Sequence, residues 1–209
     1  MSEAKGQNGV QVRLEGVRHC FTFLYEPHIS KQNGKKDYRD TFLIEPGSEN
    51  NKKIRAAISQ AARNLWQDKA AAMIKSFQAD RAKVSYRDGN TPDGNGNVMP
   101  ELEGLWTLTA IWVNQPKLKG PDNRDISDLG NNGDFLFPGA YVTAVVEIWP
   151  QAGTNAGMRC QLQGVRHDRS GERIGGGGRA ARDDEFGPAP GKVDDDLVGS
   201  NPDSDDIAF

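Results

Sequence analysis

The sequence has few of the residues that build metal sites and disulfide frameworks. Its 209 residues include two cysteines, Cys20 and Cys160, and three histidines, His19, His28 and His167. Two cysteines are too few for a disulfide scaffold or a four-cysteine zinc site. No histidine has metal-ligand spacing to another histidine or to a cysteine. We therefore expect no metal and no cofactor, and His19, within a predicted strand, is interpreted as a core or pairing residue.

Long apolar runs are also missing. No segment approaches the roughly 18 to 20 apolar residues that a membrane span needs. Residues 1–10 lack the charged-then-apolar layout of a secretory signal. The mean hydropathy is −0.69, and the 24 glycines and 11 prolines indicate that part of the chain does not pack. These features predict a cytoplasmic protein with one domain and a tail, and no membrane contact.

Catalytic motifs are scarce as well. The glycine run at 175–178 lacks the Gly-Lys-Ser/Thr ending of a phosphate-binding loop. Aspartates cluster at 194–196 and at 203–206, but a segment without a rigid scaffold organises a divalent-metal site poorly. We predict that the chain is not an enzyme. A nuclease that uses these aspartates is the catalytic alternative.

The charge is divided unevenly along the chain. Residues 183–209 carry nine acidic residues and one base, Lys192, for a net charge of −8. Residues 1–182 carry 20 acids and 25 bases, for a net charge of +5. A basic body with an acidic tail is typical of a nucleic-acid binder with an interaction tail.

Alternating apolar residues predict a mainly β domain. In residues 10–25 the apolar positions change parity at Gly16, which predicts a β-bulge there, with Val17, Phe21, Phe23 and Tyr25 on one face after it. Pro27 is expected to end this strand, and residues 28–39 to form a polar loop. Further strands are predicted at 41–44, 105–113, 140–148 and 158–165, with alternate residues of 140–148 facing inward.

One helix is predicted, over residues 50–77. Ile54, Ile58, Ala61 and Leu65 recur at helical spacing, and Ser48 or Asn50 is a suitable N-cap. Five antiparallel strands with one inserted helix indicate a barrel of the oligonucleotide-binding (OB) type. We expect this domain at 1–168, a glycine-rich flexible linker at 169–182, and a disordered acidic tail at 183–209.

Aromatic and basic residues in the loops and on exposed faces of the predicted strands are candidates for binding DNA. Single strands stack bases on aromatic rings while cations follow the phosphates. The stacking candidates are Tyr25, Tyr38, Trp112, Phe135, Phe137 and Tyr141. The phosphate candidates lie in two loops predicted to flank one sheet and are Lys31, Lys35, Lys36, Arg39, Lys117, Lys119 and Arg124.

The last seven residues, DSDDIAF, combine acids with an apolar end. Asp203, Asp205 and Asp206 precede Ile207 and Phe209, whose ring and free carboxylate suit a basic-rimmed apolar pocket on a partner protein. This ending resembles that of bacterial single-stranded DNA-binding proteins, which close on an acidic run, Ile, a small residue or Pro, and Phe.

The body resembles the phage-encoded single-stranded DNA-binding proteins with an OB fold, analogous to those of T7-like phages. The resemblance spans roughly residues 12–186. It is carried by YEP (25–27), YRDTFLIEP (38–46), IRAAISQAA (54–62), FPGAYVTAVVEIWPQ (137–151) and LQGVRHDRSGERIGGG (162–177). It implies work in phage DNA replication, recombination and repair in the cytoplasm of an infected bacterial host.

The function expected from these features is binding of single strands with little sequence preference. The acidic tail is expected to compete for the DNA groove and to recruit replication or recombination proteins. The alternative is a protein-interaction module or a DNA-mimic inhibitor that acts through the tail. A monomer and a homodimer fit the sequence equally, as do DNA and RNA.

Overall fold

Seven strands form the sheet of this protein in a computed structural model that describes residues 8–31, 33–78, 80–92, 96–132 and 135–174. All five predicted strands are present, and two strands of three residues join them. The strands are β1 (Val10–Ile29), β2 (Lys36–Ile44), β3 (Tyr86–Asp88), β4 (Trp106–Trp112), β5 (Lys117–Lys119), β6 (Tyr141–Gln151) and β7 (Gly157–Arg169).

The strand order is β3-β4-β2-β1-β6-β7-β5, antiparallel except for the β5–β7 pair. Residues 84 and 85 connect β7 to β4. The Ser85 amide donates to the Met158 carbonyl at 3.2 Å, and the Thr109 amide donates to the Ser85 carbonyl at 2.9 Å. Through Ser85, these bonds connect β4 with β7, which lie near opposite ends of the strand order. The five long strands therefore surround a common core.

Three irregularities shape the long first strand, and the last of them is a register shift between Phe23 and His28 in its pairing with β2. The predicted bulge is confirmed, because the β1–β6 register shifts between Leu14 and Val17 around Gly16, whose φ is 59°. A second shift, which we did not predict, lies between Cys20 and Phe23 in the pairing with β2. The prediction that Pro27 ends the strand is wrong, since β1 still pairs with β2 at Ile29. The loop is therefore limited to residues 30–35.

The predicted helical region is divided in two. Helix α1 (Glu49–Trp66) begins at Ser48, whose side chain accepts a hydrogen bond from the Asn51 amide as expected for an N-cap. It ends at Gln67, which has a left-handed φ of 48°. A 3₁₀ turn then leads into helix α2 (Ala70–Phe77). None of the described helices is both long and apolar enough to cross a membrane.

The core lies between the sheet and helix α1. Val142, Ala144, Val146 and Ile148 of β6 are buried, as their alternation predicts. His19 is also buried, and its Nδ1 lies 2.8 Å from a carboxylate oxygen of Asp40 with both side chains fully enclosed. Burial raises the pKa of the Asp40 carboxyl, and the pairing with His19 confirms that this histidine is a core residue.

The chain after residue 168 does not begin as a linker. Strand β7 extends to Arg169, and Ile174 is buried against Cys20 and Leu43 on the outer side of the sheet. The Ile174 amide donates to the Pro138 carbonyl at 2.9 Å. The expected linker start at 169 is therefore corrected to beyond Ile174. The remaining linker and the predicted acidic tail lie outside the described residues.

Candidate functional site

The second bulge of β1 exposes two phenylalanines. Phe21 adopts a φ of 52°, a conformation that bulky residues rarely occupy. The bulge at Phe21 exchanges the inward-facing and outward-facing positions of the strand that follows. Leu24 is therefore buried, while Phe21 and Phe23 are 40% and 39% exposed. The prediction that these rings share the face of Val17 is therefore wrong. An uncommon backbone conformation that displays apolar rings is a feature of binding sites.

Cross-strand neighbours extend this exposed surface over β2 and β4. Phe23 lies opposite Arg39, and Arg39 lies opposite Ile111, which is 41% exposed. The Arg39 guanidinium makes two hydrogen bonds to Asp37, at 2.7 and 2.8 Å. The Phe23 and His28 rings meet at a steep angle, with 5.1 Å between their centroids. A guanidinium beside an exposed ring suits single-stranded nucleic acid, because the cation can bind a phosphate while the ring stacks on a base.

Threonines and a second arginine adjoin these residues on the same face, although Thr41 and Thr107 are themselves buried. Thr41 and Thr109 face each other with 3.1 Å between their oxygens, and Thr107 lies opposite Arg87 of the short strand β3. These residues and Phe21 line a shallow groove of about 180 Å³. We call this surface the outer face and define it as Phe21, Phe23, Arg39, Thr41, Arg87, Thr107, Thr109 and Ile111.

A wider groove of about 440 Å³ continues from the outer face around the edge of β4. Ile111 and Arg87 lie at its start, and Trp149 and Arg159 lie on the far side. The Arg159 guanidinium makes hydrogen bonds within the protein. Its Nε donates to the Gln151 side chain at 2.9 Å, and another nitrogen donates to the Asn155 carbonyl at 3.0 Å. This arginine therefore braces the β6–β7 turn at the rim of the groove.

The predicted lysines of the first loop lie beyond the outer face. Lys31 and Lys35 are exposed in the β1–β2 turn, and Lys36 is exposed at the start of β2. Gly34 closes this turn with a φ of 66° and donates its amide to the Ser30 carbonyl. Among the described residues, none of the three lysines forms an ion pair. They offer positive charge at one end of the hairpin that carries Phe23 and Arg39.

The second predicted basic segment lies on and after the short strand β5. Lys117 and Lys119 belong to β5, which pairs with β7. Lys119 approaches Asp125 at 3.5 Å, and Arg124 pairs with Asp122 at 2.9 Å, while Lys117 is exposed. The expectation that both loops flank one surface stays a prediction, and only Lys117 of the second segment is exposed without an ion pair among the described residues.

Several predicted stacking rings are used inside the protein. Tyr25, Trp112 and Phe135 are partly buried and pack against the core. Phe135 meets His167 edge-to-face at 5.5 Å, and burial raises the pKa of the Tyr25 phenol. Tyr38 is half-buried opposite Trp112 in the β2–β4 ladder. Part of each of the Tyr25, Trp112 and Phe135 rings is therefore used in packing, and their stacking role stays a prediction; Trp112 also lines the wider groove.

Phe137 and Tyr141 are half-buried, and arginines cover their rings. Arg169 lies 3.3 Å from the centroid of the Tyr141 ring, with Arg18 at 5.8 Å, and Arg173 lies 4.5 Å from that of Phe137. We call Arg18, Phe137, Tyr141, Arg169 and Arg173 the capped patch. The predicted stacking role of these rings therefore requires displacement of the protein's own guanidinium groups.

Arg39 is the one residue of the outer face that the sequence analysis named as a candidate, and both phenylalanines, Phe21 and Phe23, were missed. A bulge at a non-glycine residue leaves no sequence signal, so the parity of Phe21 could not be predicted. The residues Asp203, Asp205, Asp206, Ile207 and Phe209 lie outside the described part of the chain. Within the described part, no three histidine, cysteine, aspartate or glutamate side chains lie together as a metal site would need.

Several known proteins are similar to this chain in sequence or in fold. A family model described as "Enterobacter phage Enc34, ssDNA-binding protein" matches residues 10–198. "Putative protein p50" of Acyrthosiphon pisum secondary endosymbiont phage 1 is 28% identical over 175 residues, which are 82% of this chain and 90% of that protein.

Two structures of the bacteriophage Enc34 single-stranded DNA-binding protein have the same fold. The C-terminally truncated form matches with a TM-score of 0.59 and 18% identity, over 80% of this chain and 93% of that one. The form in complex with single-stranded DNA matches with a TM-score of 0.56 and 17% identity, over 81% and 94%.

Proposed function

The chain belongs to the phage single-stranded DNA-binding protein family of Enterobacter phage Enc34, and we propose that it binds single-stranded DNA on its outer face. Since the family is one of binding proteins, membership confirms the interpretation that the chain is not an enzyme. The observation that carries the proposal is the exposed pair Phe21 and Phe23 beside Arg39. Rings stack bases of any sequence, so the binding would show little sequence preference.

The strand arrangement supports an OB barrel. The five long strands follow the order β4-β2-β1-β6-β7, and Ser85 links the two ends by hydrogen bonds. OB folds bind oligonucleotides on the face of their second and third strands and with the loop that joins the first two strands. In this chain those elements are β2, β4 and the 30–35 loop, which carry Arg39, Ile111 and Lys35.

The biological role follows from the family. We propose that the protein coats and protects single strands during phage DNA replication, recombination and repair in the cytoplasm of the infected host. Residues 183–209 would compete for the DNA surface through their net charge of −8. Ile207 and Phe209 would then bind replication or recombination proteins when DNA displaces the tail. The described chain ends at Ile174, packed against Cys20, which is adjacent in sequence to Phe21.

A direct binding titration tests the proposal. The full chain is titrated with fluorescein-labelled oligo-dT, with oligo-rU and with a duplex, and anisotropy is recorded at several salt concentrations. We expect micromolar or tighter binding of oligo-dT that weakens with salt. If no nucleic acid binds, the proposal is wrong, and a protein-interaction module or DNA mimic becomes the better explanation. Turnover of the labelled DNA with Mg²⁺ or Mn²⁺ would instead indicate a nuclease.

The tail hypothesis has its own test. Deletion of residues 183–209 is expected to tighten oligo-dT binding, most at low salt, where attraction between tail and groove is least screened. A matched variant keeps the tail length but replaces the nine acids with Asn or Gln. If charge causes the competition, this variant binds as tightly as the truncated one. Equal affinities of all three proteins at low salt would contradict the hypothesis.

A further inference from the structure

A second cleft lies on the opposite side of β3 from the outer face. It is formed between helices α1 and α2 and strands β3 and β4, with a volume of about 400 Å³. Pockets that hold small ligands have volumes of about 300 to 1,000 Å³, so one nucleotide is within its range. We call it the helix cleft and define it by Arg55, Ile58, Ile74, Tyr86, Trp106 and Met158.

The polar groups of the helix cleft are held in position before any ligand arrives. The Arg55 guanidinium lies 4.7 Å from the Trp106 ring centroid, and its Nε donates to the Asn51 side chain at 3.0 Å. Asn51 is itself buried in the first turn of α1. A guanidinium has five donors, so Arg55 keeps others besides the one that Asn51 engages.

An aromatic pair and a buried hydroxyl also line the cleft. Tyr86 and Trp106 are stacked, with 5.0 Å between ring centroids and 25° between planes. The Tyr86 hydroxyl is buried beside the Arg55 and Asn51 side chains, but no hydrogen bond of good geometry engages it among the described residues. Burial raises the pKa of this phenol. A buried hydroxyl with such poor hydrogen-bond geometry would gain free energy from a well-placed ligand oxygen or ring nitrogen.

The helix cleft is continuous with the outer face. Arg87, Asp88 and Thr91 line both the cleft and the groove that contains Phe21. Tyr86 and Arg87 are consecutive residues of β3, so their side chains point to opposite sides of the strand. A single strand that crosses the outer face at Arg87 therefore meets the cleft at the next residue.

We propose that the helix cleft binds one nucleotide of a single strand that continues from the outer face. This inference rests on the proposed function. The base enters beside the Tyr86–Trp106 stack and accepts a hydrogen bond from the Tyr86 hydroxyl. Arg55 contacts the phosphate of the same nucleotide. The cleft thus extends the binding site from the sheet to the helix and lengthens the stretch of DNA that one protein covers.

Oligonucleotide length separates the cleft from the outer face. The full chain and Arg55→Ala are titrated with oligo-dT of about four and about 16 nucleotides, the range of OB site sizes. We expect Arg55→Ala to bind the long oligonucleotide about tenfold more weakly and the short one with less than about a twofold change. Arg63→Ala removes an exposed arginine of the same helix that does not line the cleft, and we expect less than about a twofold change at both lengths.

Two further measurements keep the test independent of folding. Tyr86→Phe removes only a hydroxyl that no hydrogen bond of good geometry engages among the described residues, so the melting temperature should change little while binding of the long oligonucleotide weakens by about threefold. Photo-crosslinking of iodouracil-containing DNA should mark Tyr86 or Trp106 with the long oligonucleotide only. If Arg55→Ala weakens binding equally at both oligonucleotide lengths, or does not weaken it at all, the proposed nucleotide site in the helix cleft is wrong. If no oligonucleotide binds the native chain, the proposed function fails first and the cleft with it.

Discussion

The outer face and the capped patch contain the same kinds of side chain but differ in what covers their rings. Phe21 and Phe23 on the outer face are open to solvent at 40% and 39%. In the capped patch, Arg169 lies 3.3 Å from the Tyr141 centroid and Arg173 lies 4.5 Å from that of Phe137. A base can stack on the first pair directly, whereas on the second it must first displace a guanidinium.

The cations of the two regions differ in the same way. Lys31, Lys35 and Lys36 lie near the outer face without an ion pair among the described residues. In the 117–125 segment, Lys119 approaches Asp125 and Arg124 pairs with Asp122. Arg39 is the exception on the outer face, because it is paired with Asp37. The proposed DNA surface therefore depends most on the rings and lysines that the protein leaves open.

The largest effect should come from removing both exposed rings. Phe21→Ala together with Phe23→Ala should weaken oligo-dT binding by about 3 kcal/mol or more, since each stacked base contributes about 1 to 3 kcal/mol. Fluorescence anisotropy of the full chain at fixed salt measures the change. Alanine at Phe21 is not expected to unfold the protein, because the residue is 40% exposed and does not belong to the buried core.

The matched control lies in the capped patch. Tyr141→Ala removes an aromatic ring from the same sheet, and we expect a loss of affinity below about 0.5 kcal/mol. Comparable losses for the two proteins would break the distinction between open and capped rings. Circular dichroism melting of both variants shows whether either loss reflects unfolding.

A smaller effect is expected from the loop lysines. Replacing Lys31, Lys35 and Lys36 with Gln should reduce the slope of log K against log salt by about 2, because each phosphate contact contributes about 0.7. The control replaces Lys117, Lys119 and Arg124 with Gln and changes the net charge by the same amount. We expect its slope to stay within about 0.7 of the native value. Equal slopes for the two triple variants would show that net charge, not position, governs binding.

Part of this architecture was predictable from the sequence because it depends on local rules. Strict alternation along β6 identified Val142, Ala144 and Val146 as buried, and Gly16 marked the first bulge. Ser48 could be recognised as a helix cap because its side chain acts three residues away. These signals need no knowledge of which strands pair.

The features that separate the two regions depend on long-range pairing and could not be predicted. Phe21 adopts a positive φ without being glycine, so nothing local indicates that the parity of β1 changes there. The Tyr141 ring is capped because β6 pairs with β7 in a register that sets it opposite Arg169. The sequence analysis selected stacking candidates by residue type. Its candidates therefore include capped rings such as Tyr141 and rings packed against the core such as Phe135, together with rings that line a groove.

The smallest effect is expected in the pH dependence of stability, which reports on the β6–β7 region that contains the capped patch. His167 of β7 is buried against Phe135, and desolvation lowers its pKa below the ordinary value of 6.5. The unfolded chain therefore takes up a proton more readily, and stability falls as pH decreases through the lowered pKa. Between about pH 8 and about pH 5.5, we expect the melting temperature of the native protein to fall by a few degrees more than that of His167→Gln. Parallel melting curves for the two proteins would show that His167 is not the group responsible.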